Sequence, residues 1–524
     1  MITIALAAWA GCAASLISLL AVLVGNMRLL DCALFAAVTL SAYCAPYTKV
    51  EESFYVQAVH DILKWGRVND AFDHFAFPGV VPRSFVGPLA ISALTYPITA
   101  FLGKLNDSPS DTVTERISTQ LLSRLVLGLL VVWANSRLRS EIRRIFGRRT
   151  AMWYGIFCCC QFHYTFWTSR MLGNTMALVP MLLAQKHWLR CMCSTSRPAK
   201  QRSYQIMAAV LIFTSVVLRF DIAVFAAVML VSSATSITWR AVSLSATALV
   251  ASVLLTLLVD SYYWQTRWMW PEFQAFWFNV VRGQSVEWGT SPAHYYLIRA
   301  LPRLLLGALP FSVVGMLRDT RAARLVGAYA VAVAVFSANP HKEWRFILPS
   351  VPVLNICAAV GVSELYQIVS IRRFVTVFAM LLAGSSLCIA LAMTYISSLN
   401  YPGGHALASL HAIEQMPRAS VHIDAYSAMT GVTRFGQYRT GWKYDKSEDL
   451  MPSQYQSFTH LLSSRPEQHI NQGFKVIDTQ SGYVGLQATH IRGILRTLAS
   501  GQFALLIRQA PLVWIMRRDD AQNE

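Results

Sequence analysis

The sequence predicts a polytopic α-helical membrane protein with a small C-terminal α/β domain. Three observations lead there. Of the 524 residues, 55% are hydrophobic and only 14% are charged, and the mean hydropathy is +0.42, a balance far from that of soluble globular chains. Apolar stretches long enough, or nearly so, to cross a hydrocarbon core recur at 2–24, 29–45, 117–135, 151–166, 171–185, 205–218, 222–238, 241–259, 295–317, 325–338, 346–369 and 374–396, so about 11–13 membrane segments are expected. Past residue 396 the pattern changes to short runs separated by Gly-containing turns.

The first segment, within 1–28, has neither a basic start nor a clean cleavage site, and reads as an extra helix or an uncleaved signal anchor. A membrane domain then occupies 29–396, with polar loops at 46–83, 260–294 and 339–345. The stretch 136–150 reads as a loop, carries Arg137, Arg139, Arg143, Arg144, Arg148 and Arg149 against a single Glu141, and is assigned to the cytoplasmic side. Counting onward, the basic groups at Lys186 to Arg202, Arg240, Arg318 to Arg324 and Arg372–Arg373 return to that side. Counting backward, parity closes if 84–102, interrupted by Pro88 and Pro97, dips into the membrane without crossing it. The polar loops and everything after residue 396 then share the opposite, extracytoplasmic face, where the chemistry is expected. Asn106-Asp107-Ser108 is a nominal glycosylation sequon followed by Pro109.

In the tail, 397–524, the runs 421–425, 458–464, 474–480 and 503–516 predict strands of a small α/β domain.

A formal charge of +18 would also suit a nucleic-acid binder. The basic residues, however, fall in short clusters between apolar segments, so nucleic acid is excluded as a partner and membrane lipid is expected instead. All ten cysteines lie between Cys12 and Cys388, mostly inside apolar stretches, and imply no disulfide framework. Cys191 and Cys193 have no second Cys/His pair nearby, so no metal site is expected.

Four regions hold residues suited to chemistry. At 46–54, PYTKVEESF puts Glu51 and Glu52 just past an apolar helix, with Lys49 beside them. Partial burial raises a carboxylate toward the range of a general base, and a neighbouring cation pulls it back. The alternative is a solvated pair capping a surface helix. At 73–83, DHFAFPGVVPR offers Asp73, His74 and Arg83, either as a structural turn or as a wall in which Arg83 meets a phosphate through two parallel hydrogen bonds. The stretch 260–296 is dense in Trp and Tyr, which favours an interfacial aromatic belt, while the interspersed Arg267, Glu272, Gln284 and Glu287 also suit a sugar-stacking surface.

The fourth region, NPHKEWRF at 339–346, sets four ionisable groups between two long apolar runs, where such residues line a pathway or a headgroup site. Lys342 and Arg345, three apart, are expected to share one helix face and aim two cations at one anion, a lipid phosphate. His341 is expected to donate a hydrogen bond or a proton, and Glu343 to orient Arg345. An ordinary basic flank belongs on the cytoplasmic side, and this one falls opposite by parity.

The string PHKEWRF at 340–346 resembles the HKE-x-RF signature of the endoplasmic-reticulum mannosyltransferases that use dolichyl-phosphate-mannose, within the GT-C superfamily. PYTKVEESF (46–54), the run 73–88, VDSYYW (259–264), WGTSP (288–292), NYPGG (400–404), HID (422–424) and WKYDK (442–446) are similar, in order, to the α1,6-transferring branch. The resemblance covers nearly the whole chain from about residue 30 and leaves 2–24 unmatched. It implies a GT-C fold in the endoplasmic-reticulum membrane with a lumenal site. The implied reaction is an inverting transfer from dolichyl-phosphate-β-mannose to a mannose 6-hydroxyl of a dolichyl-pyrophosphate-linked oligosaccharide, with no metal and no cofactor. Family members carry an essential acidic residue in the first lumenal loop, often as an Asp-Glu pair. Here Glu51-Glu52 stands at that position, with Glu51, aligned to the Asp, favoured as base over Glu52. His341, Lys342 and Arg345, with Arg83, are the implied holders of the donor phosphate. Two alternatives remain: a mannosyltransferase of glycosylphosphatidylinositol assembly, and, from a different class, a lipid transporter.

Overall fold

The computed structural model describes residues 28–105, 117–439, 441–487 and 506–519. The 2–24 segment and the Asn106 sequon lie outside them. The chain divides into two compact units, one built from 1–42, 65–98 and 122–391, the other from 43–64, 99–121 and 392–524.

The first unit is helical. Among the described residues, six helices are long and apolar enough to cross a membrane: Ile117–Phe146, Arg197–Leu218, Trp239–Trp264, Tyr296–Arg318, Thr320–Ala338 and Val369–Ser398. Leu29–Cys44, Val86–Phe101 and Ile222–Ser232 are shorter apolar helices. The stretch 84–102 forms one continuous helix, Val86–Leu105, with Pro97 inside it. The 151–166 segment is broken at Gln161 into Arg148–Cys160 and Phe162–Trp167.

The basic stretch 136–150, expected as a loop, is helical, because α1 (Ile117–Phe146) runs on through it to Gly147, whose φ of 91° allows the chain to turn into the next helix. Arg139 is therefore not at a headgroup surface. It is buried and donates through Nε at 3.0 Å and Nη2 at 2.6 Å to Asp31, whose carboxylate also takes Ser136 Oγ at 2.8 Å. Such a pair is neutralised and fully hydrogen-bonded, which is the condition for keeping charge in a low-dielectric interior.

Packing within this unit relies on small residues and amides. A Cβ on Gly315 would stand 1.9 Å from Cys357 O, and one on Gly361 2.2 Å from Phe311 O, so α2 (Leu309–Arg318) and α3 (Ser350–Gln367) cross backbone to backbone. Gln161 and Asn355 exchange two amide hydrogen bonds of 2.8 Å each.

The second unit carries a five-stranded sheet in the order β2-β1-β3-β5-β4, from β1 (Ala419–Ile423), β2 (Trp442–Asp445), β3 (His460–Ser463), β4 (Phe474–Leu486) and β5 (Ile507–Arg518). β1 runs parallel to β2 and β3, while β5 is antiparallel to β3 and β4. Four of these strands fall on the runs predicted from sequence. β2, WKYD, is the strand that the sequence reading does not give: Lys443 and Asp445 break the apolar run that marks β3. The helix Pro402–Ile413 buries Ala406, Leu407 and Leu410 against Val421, Ile423, Leu462, Val513 and Ile515.

Candidate functional site

In the second unit, the acidic segment is a single turn of 3-10 helix, Val50–Glu52, leading into the helix Ser53–Trp65. A 3-10 turn spaces neighbouring side chains about 120° apart, so two adjacent glutamates point differently. Glu51 is exposed and Glu52 is fully buried, with Lys49 N donating to Glu52 Oε1 at 3.4 Å. Lys49 Nζ lies over the Tyr401 ring at 5.3 Å, and Tyr47 meets His405 edge-on at 4.8 Å. The segment thus presents Glu51 outward while Glu52 is packed into its own unit.

In the first unit, the run 73–88 is bound to the end of α4 (Trp239–Trp264), in part by His74 and in part by Asp260, which was not singled out from sequence. Asp260 is fully buried and accepts from Phe85 N at 2.7 Å, Ser84 Oγ at 3.0 Å and Thr256 Oγ1 at 2.5 Å. The signal that could have found it was an Asp closing a long apolar helix. His74 donates from Nε2 to Tyr263 O at 2.9 Å and packs between Phe85 and Trp264 at 4.9 and 4.8 Å. Trp264 in turn donates to Arg83 O at 3.0 Å. Asp73 and His74 are both buried, so they shape this wall from within.

Arg83 shares its surroundings with another residue that sequence reasoning did not rank. Burial pushes the Glu272 carboxyl up, and the Arg219 and Arg83 charges act against that shift. Glu272 accepts from Phe220 N at 2.8 Å, and Arg219 forms a two-bond pair with Asp221 at 3.1 and 2.8 Å. The aromatic stretch divides: Tyr263 is buried, while Trp268, Trp277 and Trp288 are exposed. Beside it runs a groove of about 610 Å³, walled by Val80, Pro82, Phe273 and Trp277, with Arg282 at its edge.

The 339–346 cluster differs from the expected pair of cations on one helix face. Lys342 precedes the 3-10 turn Trp344–Ile347, so it does not share a helical face with Arg345. Its ammonium is buried and donates to the carbonyls of Ser291, at 2.9 Å, and Asn339. Ser291 N donates to Pro340 O at 3.0 Å, and His341 Nδ1 to Gly289 O at 2.9 Å. The WGTSP and HKE pieces, separate in sequence, are therefore stitched into one loop pair. Glu343 sits between two partners: Arg345 grips it through Nη2 at 2.7 Å and through Nε, and His341 Nε2 lies 3.1 Å away. Glu343 and Arg345 are thus paired directly.

The structure thus gathers His341, Lys342, Glu343 and Arg345 in one loop pair, Asp73, His74 and the Arg83 backbone in another wall of the same unit, and Lys49, Glu51 and Glu52 in the second unit. Residues 30–435 match the model of the Alg9-like mannosyltransferase family. The chain belongs to this family. It is 32% identical over 473 residues to the Arabidopsis thaliana protein named Dol-P-Man:Man(7)GlcNAc(2)-PP-Dol alpha-1,6-mannosyltransferase, covering 87% of this chain and 90% of the relative. It is 34% identical to the Drosophila melanogaster protein of that name, over 83% of this chain and 62% of the relative, and 27% identical to the Saccharomyces cerevisiae one, over 89% and 90%. Relatives named for GPI mannosyltransfer match less of it; the Xenopus laevis protein does so at 27% identity over 54% of this chain and 51% of its own. Among solved structures, ArnT from Cupriavidus metallidurans in the apo state aligns with a TM-score of 0.54 at 13% identity, over 85% of this chain and 94% of ArnT. The undecaprenyl-phosphate-bound form aligns at 0.53 and 13% identity, over 86% and 96%. This family member has the GT-C fold and is a glycosyltransferase.

Proposed function

We propose that this glycosyltransferase moves mannose from dolichyl-phosphate-mannose, in α1,6 linkage, onto the dolichyl-pyrophosphate-linked Man7GlcNAc2 oligosaccharide of the N-glycosylation pathway, giving Man8GlcNAc2. The carrying observation is identity of 32–34% to relatives named for that reaction, extending over 83–87% of the chain. The GPI reading is weaker because the matches to its namesakes stop at about half the chain. Membership in a glycosyltransferase family sets the transporter reading aside. The proposed setting is the endoplasmic-reticulum membrane with the reacting groups on the lumenal side.

The proposed step is an inverting displacement. The acceptor O6 attacks the anomeric carbon, the bond from that carbon to the phosphate oxygen breaks, and dolichyl phosphate leaves with the electron pair. Glu51, the outward-facing glutamate, takes the O6 proton, and Glu52 and Lys49 fix the turn that presents it. Negative charge grows on the departing phosphate, so cations that meet it stabilise the transition state more than the ground state. Arg345, paired with Glu343 through Nε and Nη2, turns its remaining N–H groups to the phosphate, while His341, engaged with Gly289 O and Glu343, and Lys342, a fixed charge, keep their loop in place. Arg83 adds a further cation at the 73–88 wall. No metal or cofactor is needed for this chemistry.

Cells lacking the protein should accumulate the seven-mannose lipid-linked glycan. Wild-type protein should clear it, and Glu51→Gln should not. Clearance by Glu51→Gln at the wild-type rate would remove the base assignment, and absence of the seven-mannose species would remove the acceptor.

A further inference from the structure

Two consecutive residues of the C-terminal part grip the acidic segment from both sides. Ahead of it, Thr433 Oγ1 donates to Gln120 Oε1 at 2.7 Å, and the same amide donates through Nε2 to Pro46 O at 2.7 Å. Behind it, Arg434 N donates to Gln57 Oε1 at 3.0 Å, and Arg434 Nη1 to Asp61 Oδ1 at 2.9 Å. Thr433, Gln120, Gln57 and Asp61 are all at least 95% buried, where hydrogen bonds are electrostatically strong and a lost partner is costly. His60 donates to Asp61 at 2.9 Å and meets Phe435 edge-on at 4.9 Å, which closes the rear anchor.

Between the two anchors lie residues 47–56, and so both glutamates. The front of that stretch is also seated by glycine. A Cβ on Gly404 would stand 2.5 Å from the Tyr47 ring, and Gly431, at φ +131°, would bring one to 3.1 Å from Tyr47 Cβ. The NYPGG piece and the Gly431–Gly436 turn thus form a bed for Tyr47 while Thr433 and Arg434 hold the backbone before and after Glu51. A tail that merely needed to fold would not place two hydrogen bonds on each side of one acidic turn, every one of them made with a buried side chain.

We infer that Thr433 and Arg434 are positioning residues for sugar transfer, fixing the chain on both sides of Glu51 so that its carboxylate holds one geometry toward the acceptor hydroxyl. The inference rests on the proposed role of Glu51. It makes the C-terminal part a working component of transfer, since a carboxylate displaced by about 1 Å costs on the order of a hundredfold in rate.

The test uses the full-length purified protein in lipid nanodiscs, with dolichyl-phosphate-mannose and the seven-mannose acceptor, and reads kinetics and amide hydrogen exchange together. Thr433→Val removes the hydroxyl at nearly constant shape, Thr433→Ser restores it, and Arg434→Gln removes the charge facing Asp61. Thr433→Val and Arg434→Gln should speed exchange in residues 46–57 by roughly tenfold with β1 and β3 unchanged. They should lower kcat by ~10- to 100-fold with KM for the acceptor within about twofold. Thr433→Ser should return both readings to the wild-type range. Unchanged exchange at 46–57 in Thr433→Val overturns the clamp, as does faster exchange with an unaltered kcat, or a Thr433→Ser variant as impaired as Thr433→Val. Where Arg434→Gln fails to fold, the Thr433 pair carries the test. Full activity of Glu51→Gln would instead fail the base assignment while leaving the exchange result standing, so the two failures are distinguishable.

Discussion

Asp260 offers a prediction whose size follows from its contacts. Its carboxylate receives three hydrogen bonds, from Phe85 N, Ser84 Oγ and Thr256 Oγ1, and all three donor residues are at most 3% exposed. Asp260→Ala strands all three. A buried donor left without an acceptor costs about 1–3 kcal/mol. The two hydroxyls can rotate toward other acceptors and the amide of Phe85 cannot, so the expected loss is ~3–5 kcal/mol, nearer the bottom of the summed range. Asp260→Asn keeps one carbonyl oxygen for the Phe85 amide and offers its NH2 to a hydroxyl that can turn to accept it, so the loss should be only ~1 kcal/mol. Thermal unfolding in detergent, followed by a thiol-reactive dye, reads this as the rise above the native baseline of exposed Cys32, Cys44 and Cys388, because Cys158, Cys160, Cys191 and Cys357 are buried and free. The midpoints should fall in the order wild type, Asn, Ala, with the Ala variant several degrees below wild type. Amide exchange at residues 84–86 should rise most in Ala. An Ala variant as stable as wild type, or an Asn variant as damaged as Ala, would refute the reasoning that this carboxylate pins the 73–88 wall to α4.

Gly315→Ala should destabilise the helical unit by ~1–3 kcal/mol or more, because its Cβ would need over an ångström of helix displacement to clear Cys357 O, 1.9 Å away; an unchanged melting midpoint would contradict the backbone-to-backbone crossing. In the sheet unit, burial, helped by Arg439, pushes His411 down to about 4 from 6.5. The folded state therefore keeps His411 neutral where the unfolded chain protonates it, and the resulting stability is complete above about pH 6.5 and lost as pH falls toward about 4. His411→Gln should flatten the fall in melting midpoint across that window, by up to about 3 kcal/mol, and an identical pH dependence in both proteins would count against it. Transfer should proceed unimpaired in EDTA, and loss of activity restored by added divalent cation would contradict the metal-free mechanism.

The helical membrane architecture was legible because hydrophobic length is a one-dimensional signal: a run such as 374–396 announces its helix whatever it packs on. Strands β1, β3, β4 and β5 were legible through short apolar runs between turns, whereas β2, with four residues, draws its pairing from β1 beside it. The candidate residues were visible as charges set among apolar neighbours, and the Glu343–Arg345 pair, two positions apart, is within reach of sequence spacing. The fate of Lys342 did not, because its ammonium is satisfied by carbonyls of residues 291 and 339, and no side-chain pattern encodes a backbone acceptor. Asp260, the burial of Glu272 against Phe220 N, and the Thr433–Arg434 pair were missed for a related reason. Their partners lie 176, 52 and 313 or more positions away, and only folding brings them within reach. The basic stretch 136–150 misled as a loop because Arg and Glu are good helix formers, and a helix can run past the apolar span that charge counting sees.

The central claim is tested most directly by giving the purified full-length protein dolichyl-phosphate-mannose and dolichyl-pyrophosphate-linked Man7GlcNAc2 and determining the product and its new linkage. The account predicts a Man8GlcNAc2 product whose added mannose is α1,6-linked, formed by wild type and abolished in Glu51→Gln. No extension of that acceptor, a mannose added in another linkage, or extension instead of a glycosylphosphatidylinositol intermediate would contradict it.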